Sequence, residues 1–308
     1  MSERYDVVII GGGPGGYSAA LYCVRAGLRT LVLERMTPGG QMATTNWIEN
    51  YPGFTPGIDG FELAEKMKAG AEQFGAQSRF ADVQSADLAA APKKIVTDAG
   101  EIMADCVILA MGANPRPLGL PAEERLRGRG VSYCATCDGM FYRGKTVVVA
   151  GGGNSAAEDA LTLAKLCRKV YIVHRRDALR ATQSYLAPLA AAENIEILYN
   201  RRITDILGDS QVTGVALEDT ISGEGSSLAC DGVFVAIGRT PSTALASSQV
   251  ALDESGYILA GEDTCTNLPG VFAVGDLRTK PLRQVITAAA DGAVASKFAE
   301  EYLHALQR

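Results

Sequence analysis

The chain has 308 residues, which at about 150 residues per domain predicts two domains. Its 47% apolar and 21% charged residues exclude disordered, collagen-like and coiled-coil classes. A net charge of −6 argues against nucleic acid as the main partner, and no apolar run reaches the roughly 18–20 residues of a membrane span.

Residues 5–16 read YDVVIIGGGPGG, a β-branched run meeting three glycines and then an alanine-rich stretch with helical character. An apolar strand follows at 30–33 and ends at Glu34. Strand, glycine turn, helix and strand make a βαβ unit. In Gly11-x-Gly13-x-x-Gly16 the first glycine makes the turn, and the second lets a pyrophosphate approach the backbone. The third lets helix pack on strand, and the helix N-terminus attracts the phosphates. Glu34 stands where a carboxylate accepts hydrogen bonds from ribose hydroxyls.

A second strand pattern runs from Asp105 to Gly112 and meets Pro115. Next comes Cys134-Ala135-Thr136-Cys137, followed by Asp138. CxxC beside a βαβ pattern reads as a redox dithiol, and one thiolate of such a pair often has a lowered pKa. Zinc is the competing reading, but it needs four ligands. The chain has two histidines and no second close cysteine pair, so no metal site is expected. Asp138 reads either as a proton carrier for the dithiol or as an ordinary turn aspartate before Gly139. The other five cysteines are scattered and read as packed or surface thiols, so the chain lacks the disulfide framework of a secreted protein and is placed in the cytoplasm.

The opening pattern then repeats. Residues 145–156 read KTVVVAGGGNSA, with a further strand at 170–173. Gly11 to Glu34 and Gly151 to His174 are both 23 positions apart. The stretch from Asp231 to Gly238, followed by Pro241, repeats the spacing of Asp105, Gly112 and Pro115. The second fingerprint is Gly151-x-Gly153-x-x-Ala156, with alanine allowed in third place. At its ribose end the acid is replaced by His174-Arg175-Arg176, with Arg180 close behind. Guanidinium groups bind a 2′-phosphate that a carboxylate repels, so this site should prefer NADPH over NADH. The acid-ended first site is then the FAD site.

A last strand at 271–276 leads into a helix at 288–306 and has no counterpart inside the second repeat. The economical topology is one domain inserted in the other: an α/β fold of two Rossmann-like dinucleotide-binding domains. The FAD-binding domain is expected at 1–115 with 246–308, and the NADPH-binding domain at 116–245, carrying the CxxC. Linkers are expected near 114–121 and 239–245.

In this order the FAD fingerprint, CATCDG, GGGNSA and HRR resemble the low-molecular-weight, bacterial-type thioredoxin reductases. The stretches PGGQ at 38–41, NYPG at 50–53, GD at 275–276 and PLRQV at 281–285 extend the resemblance over nearly the whole chain. It implies FAD contacts from Gly11, Gly13, Pro14, Gly16, Glu34, Gln41, Asn50, Gly275, Asp276, Arg283, Gln284 and Val285. For NADPH it implies Gly151, Gly153, Asn154, Ser155, Glu158, His174, Arg175, Arg176 and Arg180. The implied reaction carries electrons from NADPH through FAD and the Cys134–Cys137 dithiol to thioredoxin or a thioredoxin-like protein, with Asp138 handling protons. It also implies a homodimer, and a second domain that rotates on its linkers. Arg129, Phe141 and Tyr142 resemble the partner-contact positions, the alternative being that the two aromatics are core. The competing function is a flavoprotein of the same fold serving another acceptor: a peroxiredoxin-system protein, a small dithiol or oxygen.

Overall fold

In the computed structural model, which describes residues 3–45 and 47–306, the chain divides into two units. One comprises residues 1–114 and 240–308, the other 115–239.

The first unit is built on a seven-stranded sheet. Glu3–Ile10 lies at its centre, parallel to Thr30–Glu34 on one side and to Gly100–Leu109 on the other. Gln77–Phe80 extends one edge, and the antiparallel pair Val83–Asp87 and Lys93–Thr97 forms the other. Val271–Ala273 adds in parallel along the end of Gly100–Leu109. The central strand turns apolar over Val7–Ile10, where both its faces are covered, while Glu3, Arg4 and Asp6 occupy its less buried start. Val8 and Ile10 enter one layer of the core, while Val7 and Ile9 enter the other. On the second face the helix Pro14–Arg25 packs against Val285–Leu306. The small residues Ala19, Ala20, Ala295 and Ala299 bring them close. A Cβ at Gly292 would strike the Gly15 carbonyl and the Ala19 amide.

The second unit repeats the plan. Ile195–Leu198, Lys169–Val173, Thr146–Gly151, Gly232–Ala236 and Val131–Ser132 form a parallel sheet in that order. Val147 and Val149 face the layer holding the helix Asn154–Ala164, and Val148 faces the opposite one. That opposite layer includes an antiparallel meander of Arg201–Leu207, Gly214–Asp219 and Gly225–Ala229.

The crossings between units are the short strands Ala113–Pro115 and Arg239–Pro241. The second lies earlier than the sequence predicts. Residues 240–245 belong with the first unit, where Ser242 N donates to the Gly112 carbonyl at 2.9 Å. Pro121 is not linker either: it opens the helix Pro121–Arg125, where its missing N–H costs nothing.

Candidate functional site

The two glycine turns superimpose in their logic. Gly11 and Gly151 have φ of +107° and +155°, where a side chain is strained. A Cβ on Gly11 would meet the Ala110 carbonyl, and one on Gly151 the Ala236 carbonyl, the same place at the end of the adjacent strand. The next glycine in each turn packs against the residue 23 positions on from the first. Gly12 lies against the Glu34 carboxylate, and Gly152 against the His174 ring.

In the first unit, Gly12 N donates to Glu34 Oε2 at 2.6 Å and Arg35 N to Oε1 at 3.1 Å. Burial pushes the Glu34 carboxyl above its usual range, against those two hydrogen bonds. The helix Pro14–Arg25 starts at Gly13 with no side-chain cap, so its first amides are not answered by a capping side chain. The nearest atom to a Cβ on Gly13 would be the Gly39 carbonyl at 4.0 Å, which leaves open space at the helix end. Pro14 opens the helix, and Gly16 packs on Gly11.

Some of the other expected FAD contacts connect to this turn, and the rest to one another. Gly39 N bonds the Gly12 carbonyl at 2.7 Å, which brings in the loop carrying Gln41. Gln41 Nε2 donates to Asn114 Oδ1 at 2.9 Å. Asn50 Nδ2 donates to Gln284 Oε1 at 3.0 Å, joining residues far apart in the chain. Val274 and Ala288 pack on Gly15, so Gly275 and Asp276 sit beside the helix start. Arg283 lays its guanidinium over the Tyr257 ring at 4.1 Å, and its buried Nε has no hydrogen-bond partner among the described residues. Val285 packs on a small cluster with Met42, Ile48, Ile58, Leu63 and Ala64. An uncapped helix end, an open glycine cradle, an acid at the ribose end and an orphaned guanidinium nitrogen fit a dinucleotide bearing a polar ring system.

What fixes the Gly275–Asp276 turn was not visible in the sequence. Asp291 accepts from Gly275 N at 2.9 Å, Arg278 Nε at 3.0 Å, Arg278 Nη2 at 2.8 Å and Lys280 Nζ at 2.7 Å. Burial pushes its carboxyl up, but the bonds from Arg278 and Lys280 outweigh that and hold it below the usual range.

In the second unit, the helix Asn154–Ala164 likewise starts on an uncapped glycine, Gly153, and nothing lies within 4 Å of where its Cβ would be. Arg180 N bonds the Gly152 carbonyl at 2.6 Å, and Thr182 N bonds Asn154 Oδ1 at 2.8 Å. These two bonds fold the arginine-bearing loop onto the turn. Arg175, Arg176 and Arg180 are exposed there, as are Ser155 and Glu158. His174 differs from its neighbours, being buried against Gly152 with no hydrogen-bond partner for its Nε2 among the described residues. Burial lowers its pKa, so the ring is neutral at pH 7 and the positive charge of the site is the arginines'.

The dithiol lies in the same unit as this second cradle. Cys134 and Cys137 are joined as a disulfide across the short helix Ala135–Asp138. Cys134 Sγ accepts from Cys137 N at 3.2 Å. Asp138 is raised above its usual range by burial, opposed by a hydrogen bond from Ser132 Oγ at 2.6 Å. Asp159, on the helix of the second fingerprint, is pushed up to about 7 by burial and by the charge of Glu158. Neither Ser132 nor Asp159 belongs to a spacing that sequence reasoning recognises.

Of the three expected partner contacts, Arg129 is exposed and Phe141 is 46% exposed. Tyr142 is not on the surface. It is 9% exposed, with its ring edge-on to Phe234 at 5.1 Å and against Gly232. It turns inward because it closes the core under the strand Gly232–Ala236, and Met140 takes the outward place beside Phe141. The remaining thiols are held in their protonated form at neutral pH. Burial pushes Cys23, Cys106 and Cys230 up to about 12, and Cys167 and Cys265 up to about 11. Among the described residues, no three His, Cys, Asp or Glu side chains cluster as metal ligands, and no helix is long and apolar enough to cross a membrane.

The chain is similar to known proteins in sequence and in fold. Residues 5–292 match the family model described as pyridine nucleotide-disulphide oxidoreductase. The chain is 49% identical over 300 residues to a thioredoxin reductase of Mycolicibacterium smegmatis, covering 97% of this chain and 96% of that one. It is 44% identical to a thioredoxin reductase of Bacillus subtilis, covering 100% and 98%. Among solved structures, thioredoxin reductase from Streptococcus pyogenes aligns with a TM-score of 0.92 at 39% identity, over 99% of this chain and 100% of that one.

Proposed function

Since the chain belongs to the pyridine nucleotide-disulphide oxidoreductase family, with thioredoxin reductases as its relatives over nearly its full length, we propose that it reduces the disulfide of thioredoxin with electrons from NADPH, through FAD and the Cys134–Cys137 pair. One observation carries this reading: a CxxC disulfide followed directly by a half-buried carboxylate of raised proton affinity, in the same unit as a dinucleotide cradle flanked by an arginine-bearing loop.

The unit of residues 1–114 and 240–308 holds FAD, and that of 115–239 holds NADPH. A flavin held in the first of these would supply two-electron chemistry linking the nicotinamide to the Cys134–Cys137 disulfide. Glu34 accepts hydrogen bonds from a ribose, and the amides at the start of Pro14–Arg25 meet the pyrophosphate. Asn50, Gln284 and Arg283 line the site near Gly275 and Asp276. In the other unit, Gly153 leaves room for the pyrophosphate, and Arg175, Arg176 and Arg180 bind the 2′-phosphate. Neutral His174 backs the turn from behind.

The reduced pair then acts by thiol–disulfide exchange. One enzyme thiolate attacks a sulfur of the substrate disulfide, forming a mixed disulfide and expelling one substrate thiolate. The second enzyme thiol loses its proton and attacks the mixed disulfide. The Cys134–Cys137 bond re-forms and the second substrate thiolate leaves. Two electrons have passed to the substrate, and the two protons given up as the two enzyme thiols ionise neutralise its two thiolates. Asp138 holds the travelling proton, since burial keeps its proton affinity above that of a surface aspartate. Arg129 and Phe141, with Met140, form the partner-contact surface. The working form is a cytoplasmic homodimer.

The test is NADPH-dependent reduction of oxidised thioredoxin. Activity should vanish in Cys134→Ser and in Cys137→Ser while NADPH still bleaches the flavin. Thioredoxin reduction that survives either substitution would sink the relay.

A further inference from the structure

We propose that Ser132 is a positioning residue of the dithiol site, its hydroxyl joining the Cys134 backbone to the Asp138 carboxylate and fixing where that carboxylate holds its proton. This rests on the reading of Asp138 as the proton carrier. Ser132 ends the strand Val131–Ser132, paired with Phe234 of Gly232–Ala236, and is 4% exposed. Its Oγ donates to Asp138 Oδ2 at 2.6 Å and accepts from Cys134 N at 3.1 Å. The Cys134 carbonyl is also within reach at 3.4 Å. A hydroxyl has a single proton, and the shorter bond to a carboxylate takes it.

The hydroxyl therefore closes the loop 132–138, which contains both sulfurs. In the oxidised enzyme the disulfide also spans this loop. In the reduced enzyme that covalent tie is gone, and the Ser132 bonds remain to hold the carboxylate beside the thiols. Burial alone would raise the proton affinity of Asp138 further, and the Ser132 bond opposes it. Deleting the hydroxyl removes that opposition and leaves a half-buried Cys134 N–H without its acceptor.

The experiment is single-turnover reoxidation of pre-reduced enzyme by oxidised thioredoxin, followed across pH. Ser132→Ala should move the limb set by Asp138 upward by about one pH unit, a tenfold change in proton affinity. Ser132→Thr, which keeps the hydroxyl, should leave the limb in place. If the alanine variant fails to fold, the isosteric pair Ser132→Thr and Ser132→Val repeats the deletion at constant bulk, with only valine shifting the limb. Reduction of the flavin by NADPH should be unchanged in every Ser132 variant. Asp138→Asn should abolish the limb. A limb unmoved by alanine or valine, yet abolished by Asp138→Asn, overturns the role of Ser132 alone. A limb that persists in Asp138→Asn overturns the reading of Asp138, and the proposal with it.

Discussion

Replacing Asp291 with asparagine should loosen the flavin-side turn from within the protein. The Arg278, Asp291 and Lys280 side chains are 6%, 8% and 4% exposed, so bulk water does not compensate for a lost partner. Breaking a buried ion pair by removing one member typically costs about 3–5 kcal/mol. Here the cations keep other acceptors: Arg278 Nη1 bonds the Ala260 and Thr279 carbonyls, and Lys280 Nζ bonds the Thr287 carbonyl. The loss should therefore lie near the lower end, about 3 kcal/mol, or roughly 6–12 °C in the unfolding midpoint. The sign with pH follows from the lowered carboxyl. Its stabilisation is present above the unfolded value of about 3.9 and lost as pH falls through the lower folded one. Thermal melts monitored by circular dichroism, with flavin retention after dialysis, read both effects. The apolar triple variant Asp291→Leu, Arg278→Met, Lys280→Met should regain stability but not flavin affinity, because Gly275 N still lacks its acceptor. An Asp291→Asn protein with unchanged midpoint and flavin content would refute the reasoning.

Gly153→Ala should leave the unfolding midpoint unchanged, because its Cβ meets nothing, yet raise the KM for NADPH at least tenfold by filling the cradle. A normal KM would mean that the pyrophosphate does not pass there. Arg175→Ala combined with Arg176→Ala should weaken NADPH at least tenfold and NADH little, as charge-assisted bonds of about 1.5–3 kcal/mol are lost only with the 2′-phosphate. Equal losses for both nucleotides would remove the specificity assignment. Glu34→Gln should weaken FAD at least tenfold while stabilising flavin-free protein at neutral pH. Because burial raises the Glu34 carboxyl, its contribution is most favourable below the unfolded value of about 4.3 and is lost as pH rises through the folded one. The gain in the glutamine variant should thus disappear near pH 4, and a gain independent of pH would contradict the burial argument.

The repeat was legible because it rests on spacing. Glycine triplets followed at the same distance by Glu34 or His174 dictate a turn and the residue packed on it, and both pairs meet in space. The antiparallel pieces, Val83–Asp87 with Lys93–Thr97 and the meander of 201–229, were not foreseen. Among their strands Val83–Asp87, Arg201–Leu207 and Gly225–Ala229 are short and largely exposed, with weak alternation. Tyr142 shows a different limit. An aromatic beside a reactive motif reads equally well as surface or core, and only the neighbouring Gly232 and Phe234 decide it. Ser132 and Asp291 act through small hydrogen-bond networks, which no spacing in the chain announces.

The central claim, that flavin and dithiol form one relay, is tested most directly by anaerobic titration of the purified flavoprotein with NADPH, followed by visible absorbance. The account predicts about four electrons per chain, two for the flavin and two for Cys134–Cys137, falling to about two in the Cys134→Ser, Cys137→Ser double variant. Uptake of only about two electrons by the unaltered protein would place the disulfide outside the relay and contradict the account.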